Sequence, residues 1–413
     1  MTVVGWCRNA VLSVVLILVT ATTAATTSFA AEDKRVALVV GNAQYHNGGV
    51  ATGVAANTVV VADALKRAGF AVTVVTGGLP VPGFPGAGVE HVELPAVATA
   101  SEGFSGLVDE SGAPVDDDFK ARRTALLLDA LARSRPDIVI IEAFPFGRRQ
   151  MRFELLPLLE AVAAMQPKPK LVTSVRDILQ ARVKPGRNEE TLDLLNRHFD
   201  LVMVHGDPSF ARLEDTFPLA STVCAPIAYT GLVAGPEPAP AEDTFEVVIS
   251  AGGGAAGASL VAAAVDAADK VGGNAPWALI TGPNLPAELF DDAERRAPDR
   301  LTVFRFRQDF PSLLRNAELS VSQAGYNTIC DIFRAGCRAL LVPFAAGGET
   351  EQSERAARLE AQGLALTLTE DALAGETLAE AIVRALGRPK PPLAVLDLDG
   401  AAGSARMLRG LLA

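Results

Sequence analysis

The sequence predicts an α/β protein built as two doubly wound parallel-sheet domains in tandem, and three observations predict it. Short, continuous apolar runs alternate with helix-length stretches, which is how strands buried on both faces of a parallel sheet read. A Pro/Gly/Ala-rich segment interrupts the alternation once, after which it restarts. Hydrophobic residues make up 49% of the chain and aromatic residues only 6%, which suits short strands under Ala-rich helices and argues against an all-β sandwich. A length of 413 residues leaves room for two cores.

In order along the chain, apolar runs at 36–40, 72–75, 138–141, 171–175 and 201–204 predict strands. Stretches at 59–68, 119–132, 154–165 and 189–199 have helical spacing and length. Residues 33–230 form the first domain on this reading. The segment 231–244, GLVAGPEPAPAEDT, lacks apolar periodicity and reads as the linker. Strands at 247–250, 277–280, 301–304, 319–321, 339–342 and 364–368 then predict a second domain over 245–386. The remaining residues, 387–413, hold KPPLAVLDLDG and a short helical stretch at 404–412.

Charge and cysteine content exclude several classes. With 37 Lys+Arg against 48 Asp+Glu, the net charge is −11, which disfavours a nucleic-acid binder that works by phosphate neutralisation. Four cysteines in this length are no disulfide scaffold, and Cys330 and Cys337 lack C-x-x-C spacing, so no metal site is expected. The chain opens with Arg8, an uncharged stretch over 9–31 and a strongly apolar stretch at 11–19, which reads as a signal peptide or anchor over 1–30. Ser28 and Ala30 supply the small residues a signal peptidase needs.

Candidate chemistry lies at strand ends, where ligands of such sheets bind. Ser250-Ala-Gly-Gly-Gly-Ala-Ala-Gly257 follows a strand and opens a helix, so bare backbone N–H groups and the helix N-terminus favour a phosphate or diphosphate. Gly252, Gly254 and Gly257 also fit G-x-G-x-x-G, but the strand that should end in a ribose-binding acid, 277–281, supplies none. Ser322-Gln-Ala-Gly-Tyr-Asn-Thr328 is a second strand-to-helix loop, and Ala345-Ala-Gly-Gly-Glu-Thr-Glu-Gln352 a third, whose carboxylate and amide suit sugar hydroxyls. In the first domain, Glu142, Arg148, Arg149, Arg176, Asp177 and His205 all fall at or just beyond strand ends.

The motifs ISAGGGAAG, SVSQAGYNTICD and VPFAAGGETEQ resemble the nucleotide-sugar-binding half of GT-B glycosyltransferases with a family 28 C-terminal domain, a group that includes the peptidoglycan N-acetylglucosamine transferase. Residues 78–368 further resemble a bacterial group of predicted glycosyltransferases through LVDESGAPVDDDF, EAFPFGRRQMRFELLPLLEA, SVRDIL and VHGDP. The resemblance implies a GT-B fold of two Rossmann-like domains facing a cleft, with a C-terminal helix crossing back to the first. It implies an inverting, metal-independent hexosyl transfer from a nucleotide diphosphosugar, uridine-based, to an acceptor hydroxyl, lipid-linked or on a small glycoside. No further cofactor is expected.

By the same resemblance Gly253, Gly254 and Gly257 approach the donor diphosphate, with Ser322, Gly325 and Thr328 at the second helix start. Asp331 would bond the ribose, Phe306 the base, and Glu351 with Gln352 the sugar. Arg148, Arg149, Arg176 and His205 would line the acceptor side, and His46, Glu142 and Asp177 are the candidate general bases.

The opening departs from that group, whose first strand is followed by a glycine-rich loop with histidine. Here KRVALVVGNAQY and residues 56–76 instead resemble the start of secreted caspase-like proteins, without the downstream ordered histidine and cysteine of a peptidase. Two other readings therefore stand beside transfer: a non-catalytic nucleotide-sugar binder, and an NAD-binding oxidoreductase, with an epimerase of the same two-domain design a further variant. The leader points to export or membrane association, whereas nucleotide-sugar chemistry is cytoplasmic.

Overall fold

The computed structural model describes residues 35–41, 52–78, 84–99, 106–181, 184–252, 257–392 and 395–413. The expected leader, His46, Gly253 and Gly254 lie outside these residues. The first half runs β1 (Val36–Gly41), α1 (Thr52–Arg67), β2 (Ala71–Thr76), β3 (Glu90–Glu93), β4 (Val97–Thr99), β5 (Leu107–Asp109), α2 (Asp117–Ser134) and β6 (Ile138–Glu142). It continues with α3 (Arg152–Ala164), β7 (Lys170–Arg176), α4 (Arg187–His198), β8 (Leu201–His205), α5 (Leu213–Thr216) and β9 (Ile227–Tyr229).

Seven of its strands form one parallel sheet in the order β3-β2-β1-β6-β7-β8-β9, while β4 and β5 pair as a separate antiparallel hairpin. The central strands are buried almost throughout, which is why they read as continuous apolar runs. β3, β4, β5 and β9 carry no such run: they are three or four residues long, lie at sheet edges or in the hairpin, and bury only part of their side chains. Helix α2 starts where Asp116 accepts a hydrogen bond from the Phe119 amide at 2.7 Å, with Asp117 and Asp118 in its first turn. Between α2 and α3 the fully buried Arg123 and Glu154 pair through two hydrogen bonds of 2.7 and 2.9 Å, and Arg123 also donates to the Gly77 and Pro95 carbonyls.

The second half runs β10 (Val247–Ser250), α6 (Ala258–Lys270), β11 (Trp277–Ile280), α7 (Ala287–Arg296), β12 (Leu301–Phe304), α8 (Phe310–Asn316) and β13 (Leu319–Ser322). Then come α9 (Tyr326–Ala335), β14 (Arg338–Leu341), α10 (Glu351–Ala361), β15 (Leu366–Thr367), α11 (Gly375–Leu386) and α12 (Gly400–Leu411). Its six strands are all parallel in the order β12-β11-β10-β13-β14-β15, the Rossmann arrangement 3-2-1-4-5-6. Each sheet therefore reverses direction beside its first strand, between β1 and β6 and between β10 and β13.

Both sheets belong to one compact unit, Arg35–Ala413. The stretch 231–244 is not loose throughout: Leu232, Val233 and Ala234 are buried, and the Val233 amide donates to the Tyr326 hydroxyl at 2.8 Å. Helix α12 returns to the first half, where Ala401, Ala405 and Leu408 share a core with Val61, Ala62 and Leu65 of α1. It begins at Gly400 rather than 404, and Gly400 and Gly403 pass directly over the backbone of Thr230 and Gly231, an approach that any side chain would block.

Candidate active site

The second half presents its three loops at the carboxyl ends of its strands. After β10, Gly252 adopts φ +77°, and a side chain there would come within 2.7 Å of Gln323 Oε1. Gly257 precedes α6, and a side chain on it would meet the Cβ and carbonyl oxygen of Ala251 at 2.6 Å, so packing alone already demands glycine. Helix α6 begins directly after Gly257, so its first-turn amides and the positive end of its dipole are there for an anion.

At the second loop, the Ser322 side chain is fully buried and its hydroxyl shares a 2.6 Å hydrogen bond with Ser320, so it does not reach the surface as a ligand would need. Gly325 caps α9, with Thr328 in the first turn. Asp331 lies further along α9, where burial pushes its carboxyl up to about 7. After β12 the Phe306 ring is 58% exposed, beside an Arg307 anchored by Asp309 at 2.7 Å and Asp243 at 2.8 Å. An exposed ring of this kind is a surface on which a base can stack.

At the third loop, Gln352 Oε1 accepts from the Phe344 amide at 3.2 Å, which leaves its NH₂ group as the outward donor. Glu351 opens α10 and accepts from Arg355 Nη2 at 2.8 Å through one oxygen. Arg355, one helical turn on, is the functional neighbour that the motif reading missed; its i,i+4 spacing from Glu351 was the available signal.

In the first half, Glu142, Arg148, Arg176 and His205 come together around one cavity of about 190 Å³ at the β1/β6 switch point, with Asn57 and Thr58 of α1 on its wall. Glu142 and Arg148 stand 3.7 Å apart. Burial raises the Glu142 carboxyl above its ordinary range against the opposing pull of Arg148 and Arg176. Arg176 lies over the Tyr326 ring at 4.9 Å, and its Nη2 is buried without a hydrogen bond among the described residues.

Burial, helped by Arg176, lowers His205 to about 4, so its ring is neutral at physiological pH. The Thr230 hydroxyl donates to the Gly231 carbonyl at 2.8 Å and so accepts from His205 Nδ1 at 3.0 Å, leaving Nε2 as the ring's acceptor. Ala143 and Arg148 hold φ of 62° and 56°, left-handed conformations that cost energy for residues with a side chain. They shape the turn that carries Arg148 to the cavity.

Asp177 is elsewhere than expected of a base. It is fully buried, and its two oxygens accept from Arg355 Nη2 at 2.7 Å and Nε at 3.0 Å. A general base must reach a substrate proton, and this carboxylate is closed off by its partner. Arg149 is also engaged: with Arg152 it pairs with Glu190, in a groove of about 440 Å³ lined further by Arg148, Lys184 and Arg187. Among the described residues, five cations face a single lining carboxylate there, in a chain of net charge −11.

Two Rossmann-like sheets with a helix crossing back define the GT-B class of fold. Residues 248–394 match the glycosyltransferase family 28 C-terminal domain. UDP-N-acetylglucosamine–N-acetylmuramyl-(pentapeptide) pyrophosphoryl-undecaprenol N-acetylglucosamine transferases are similar in sequence. That of an Exiguobacterium species is 37% identical over 99 residues, covering 24% of this chain and 28% of the relative. That of Hahella chejuensis is 35% identical over 100 residues, covering 24% and 27%. The matched stretch thus spans little more than a quarter of these relatives.

Among solved structures, the calicheamicin glycosyltransferase superposes with a TM-score of 0.60 at 19% identity, over 92% of this chain and 98% of that one. MurG of Acinetobacter baumannii does so at 0.53 and 14%, over 91% and 98%. The spinosyn rhamnosyltransferase SpnG complexed with thymidine diphosphate gives 0.56 and 16%, over 92% and 100%. These likenesses carry the GT-B fold over 91–92% of the chain.

Proposed function

We propose that the protein is a glycosyltransferase that moves a hexosyl group from a UDP-linked sugar to an acceptor hydroxyl with inversion. The observation that carries this reading is the family 28 match over the half whose strand-end loops and following helices hold an α6 N-terminus, an exposed Phe306, Asp331, and the Glu351–Gln352 pair. The loop before α6 would hold the diphosphate, and its N–H groups with the helix dipole would stabilise the charge that develops as the sugar leaves; on this reading no metal is required. Asp331 would take the ribose hydroxyls, Phe306 the base, and Glu351 with Gln352 the sugar.

The acceptor would enter from the first half. Glu142 is our choice of general base among the described candidates, because its Oε2 is buried at the cavity without a hydrogen bond among the described residues and burial raises its proton affinity towards the working range. The acceptor hydroxyl would attack the anomeric carbon, its proton passing to Glu142 as the bond to the diphosphate breaks. The cationic groove beside the cavity favours an acceptor bearing phosphate or another anion, in keeping with the pyrophosphoryl lipid named for the sequence relatives. Membrane association through residues 1–30 belongs to the same proposal, and co-sedimentation of the full chain with vesicles tests it.

Thermal unfolding with UDP, UDP-sugars, GDP and NADH tests the donor site, since a ligand at about one hundred times its Kd adds about 2.7 kcal/mol. A UDP-specific shift followed by UDP release with an acceptor supports transfer. Binding without turnover favours the non-catalytic reading, and a shift with NADH alone favours the oxidoreductase.

A further inference from the structure

We infer that residues 177–181 of the first half position the sugar-reading segment 348–355 of the second, so that donor-sugar recognition is completed across the cleft. The inference rests on the donor reading above and goes beyond it by naming Asp177, Gln180 and Arg355 as positioning residues.

Three separate contacts join the two segments. Gln180 pairs with the loop backbone as a strand would, its Nε2 donating to the Gly348 carbonyl at 2.6 Å and its Oε1 accepting from the Thr350 amide at 3.1 Å. The Ala181 amide donates to Thr350 Oγ1 at 3.2 Å. Asp177 accepts two hydrogen bonds from Arg355, whose Nη2 is shared between Asp177 Oδ1 and Glu351 Oε1. Arg355 is fully buried, donates also to the Ala324 carbonyl at 2.9 Å, and lies over the Tyr326 ring, whose hydroxyl donates to the His205 carbonyl at 3.0 Å.

The physical need for outside support is visible in the loop itself. Ala345-Ala-Gly-Gly-Glu-Thr precedes Glu351, and Gly348 takes φ +80°, so this backbone has many accessible conformations of its own. A guanidinium is planar and its donors are fixed in a fork, so where Asp177 holds Arg355 also decides where Glu351 is held. By contrast, the residues assigned to diphosphate, ribose and base (Gly257, Asp331 and Phe306) lie wholly in the second half. The support should therefore act on the sugar and spare the nucleotide.

The test is calorimetric titration of the full chain with UDP and with the best-bound of UDP-glucose, UDP-galactose and UDP-N-acetylglucosamine. The variants are Gln180→Ala, Asp177→Asn, Glu351→Gln and the double Asp177→Asn/Glu351→Gln. Each single variant is expected to weaken the UDP-sugar by about tenfold while leaving UDP within about twofold, and the double to be little weaker than Glu351→Gln alone, because the two act through one interaction. A merely structural role would lower the unfolding temperature and leave the ratio of the two affinities unchanged, and that result overturns the inference. If Asp177→Asn does not fold, Gln180→Ala decides alone, since its side chain is exposed. A wild-type chain that binds neither ligand overturns the donor reading and this inference together; one that binds both, with variants of unchanged ratio, overturns only the inference.

Discussion

The first and second sheets share an arrangement, each reversing beside its first strand, and they furnish that point in different ways. In the second half the switch point is met by glycine-rich backbone and helix starts. In the first half it is a cavity faced by Glu142, Arg148, Arg176 and His205, held by strained backbone and buried hydrogen bonds. The second arrangement suits a ligand whose charge is fixed and spread over phosphate oxygens. The first suits a group that must gain or lose a proton, because burial and neighbouring charge are what move a pKa.

The largest test of this contrast is Glu142→Gln. Transfer should fall by about a hundred- to ten-thousand-fold, with UDP affinity intact, as expected for loss of a general base. An equal loss in UDP affinity would break the comparison, since it would put donor chemistry in the first half. Next comes Glu154→Leu, which strands the buried Arg123 and should destabilise the chain by about 3–5 kcal/mol in denaturant melts. A loss below about 1 kcal/mol would show that the first half does not depend on its buried charges.

Asp331→Ala should weaken UDP by about 1.5–3 kcal/mol by calorimetry, the worth of a hydrogen bond to a charged group, and should leave the first half's stability alone. The wild-type site adds a pH signature. Ribose hydroxyls donate to the ionised carboxylate, so a group raised to about 7 must release a proton on binding. UDP affinity should fall as pH drops from about 7 to 5 and should flatten in Asp331→Asn.

A final test sets the halves against each other directly. His205, lowered from 6.5 to about 4, makes the fold more stable as pH rises through that window, because the unfolded chain holds the extra proton. Asp331, raised from 3.8 to about 7, does the reverse, because the folded chain holds it. The two slopes oppose one another between about pH 4 and 6.5. Asp331→Asn should expose the rising slope and His205→Gln the falling one, each by up to about one proton in urea titrations.

The strands of both halves were legible because a parallel strand buried on both faces is apolar throughout, and four of the second sheet's loop-bearing strands, β10 to β13, lie within one residue of their apolar runs. The first sheet's edge strands, β3 and β9, were not, since their pairing adds hydrogen bonds without an apolar signature. Ser322 read as a ligand donor from its place after a strand, but its hydroxyl turns inward to Ser320. Asp177 read as a base for the same reason, and the partner that closes it off stands 178 residues later.

The sequence by itself determined the alternation of strands and helices, the two tandem sheets and the glycine-rich turns, because each depends on neighbours within a few positions of the chain. Only the tertiary structure decided which charges are satisfied and which face a cavity. Arg355 could have met any of several carboxylates, and Tyr326 any carbonyl; the fold brought α10 to the residue after β7 and α9 to the end of β8, and so selected Asp177 and His205. Such choices depend on distances between residues far apart in sequence, and burial then raises what each choice is worth.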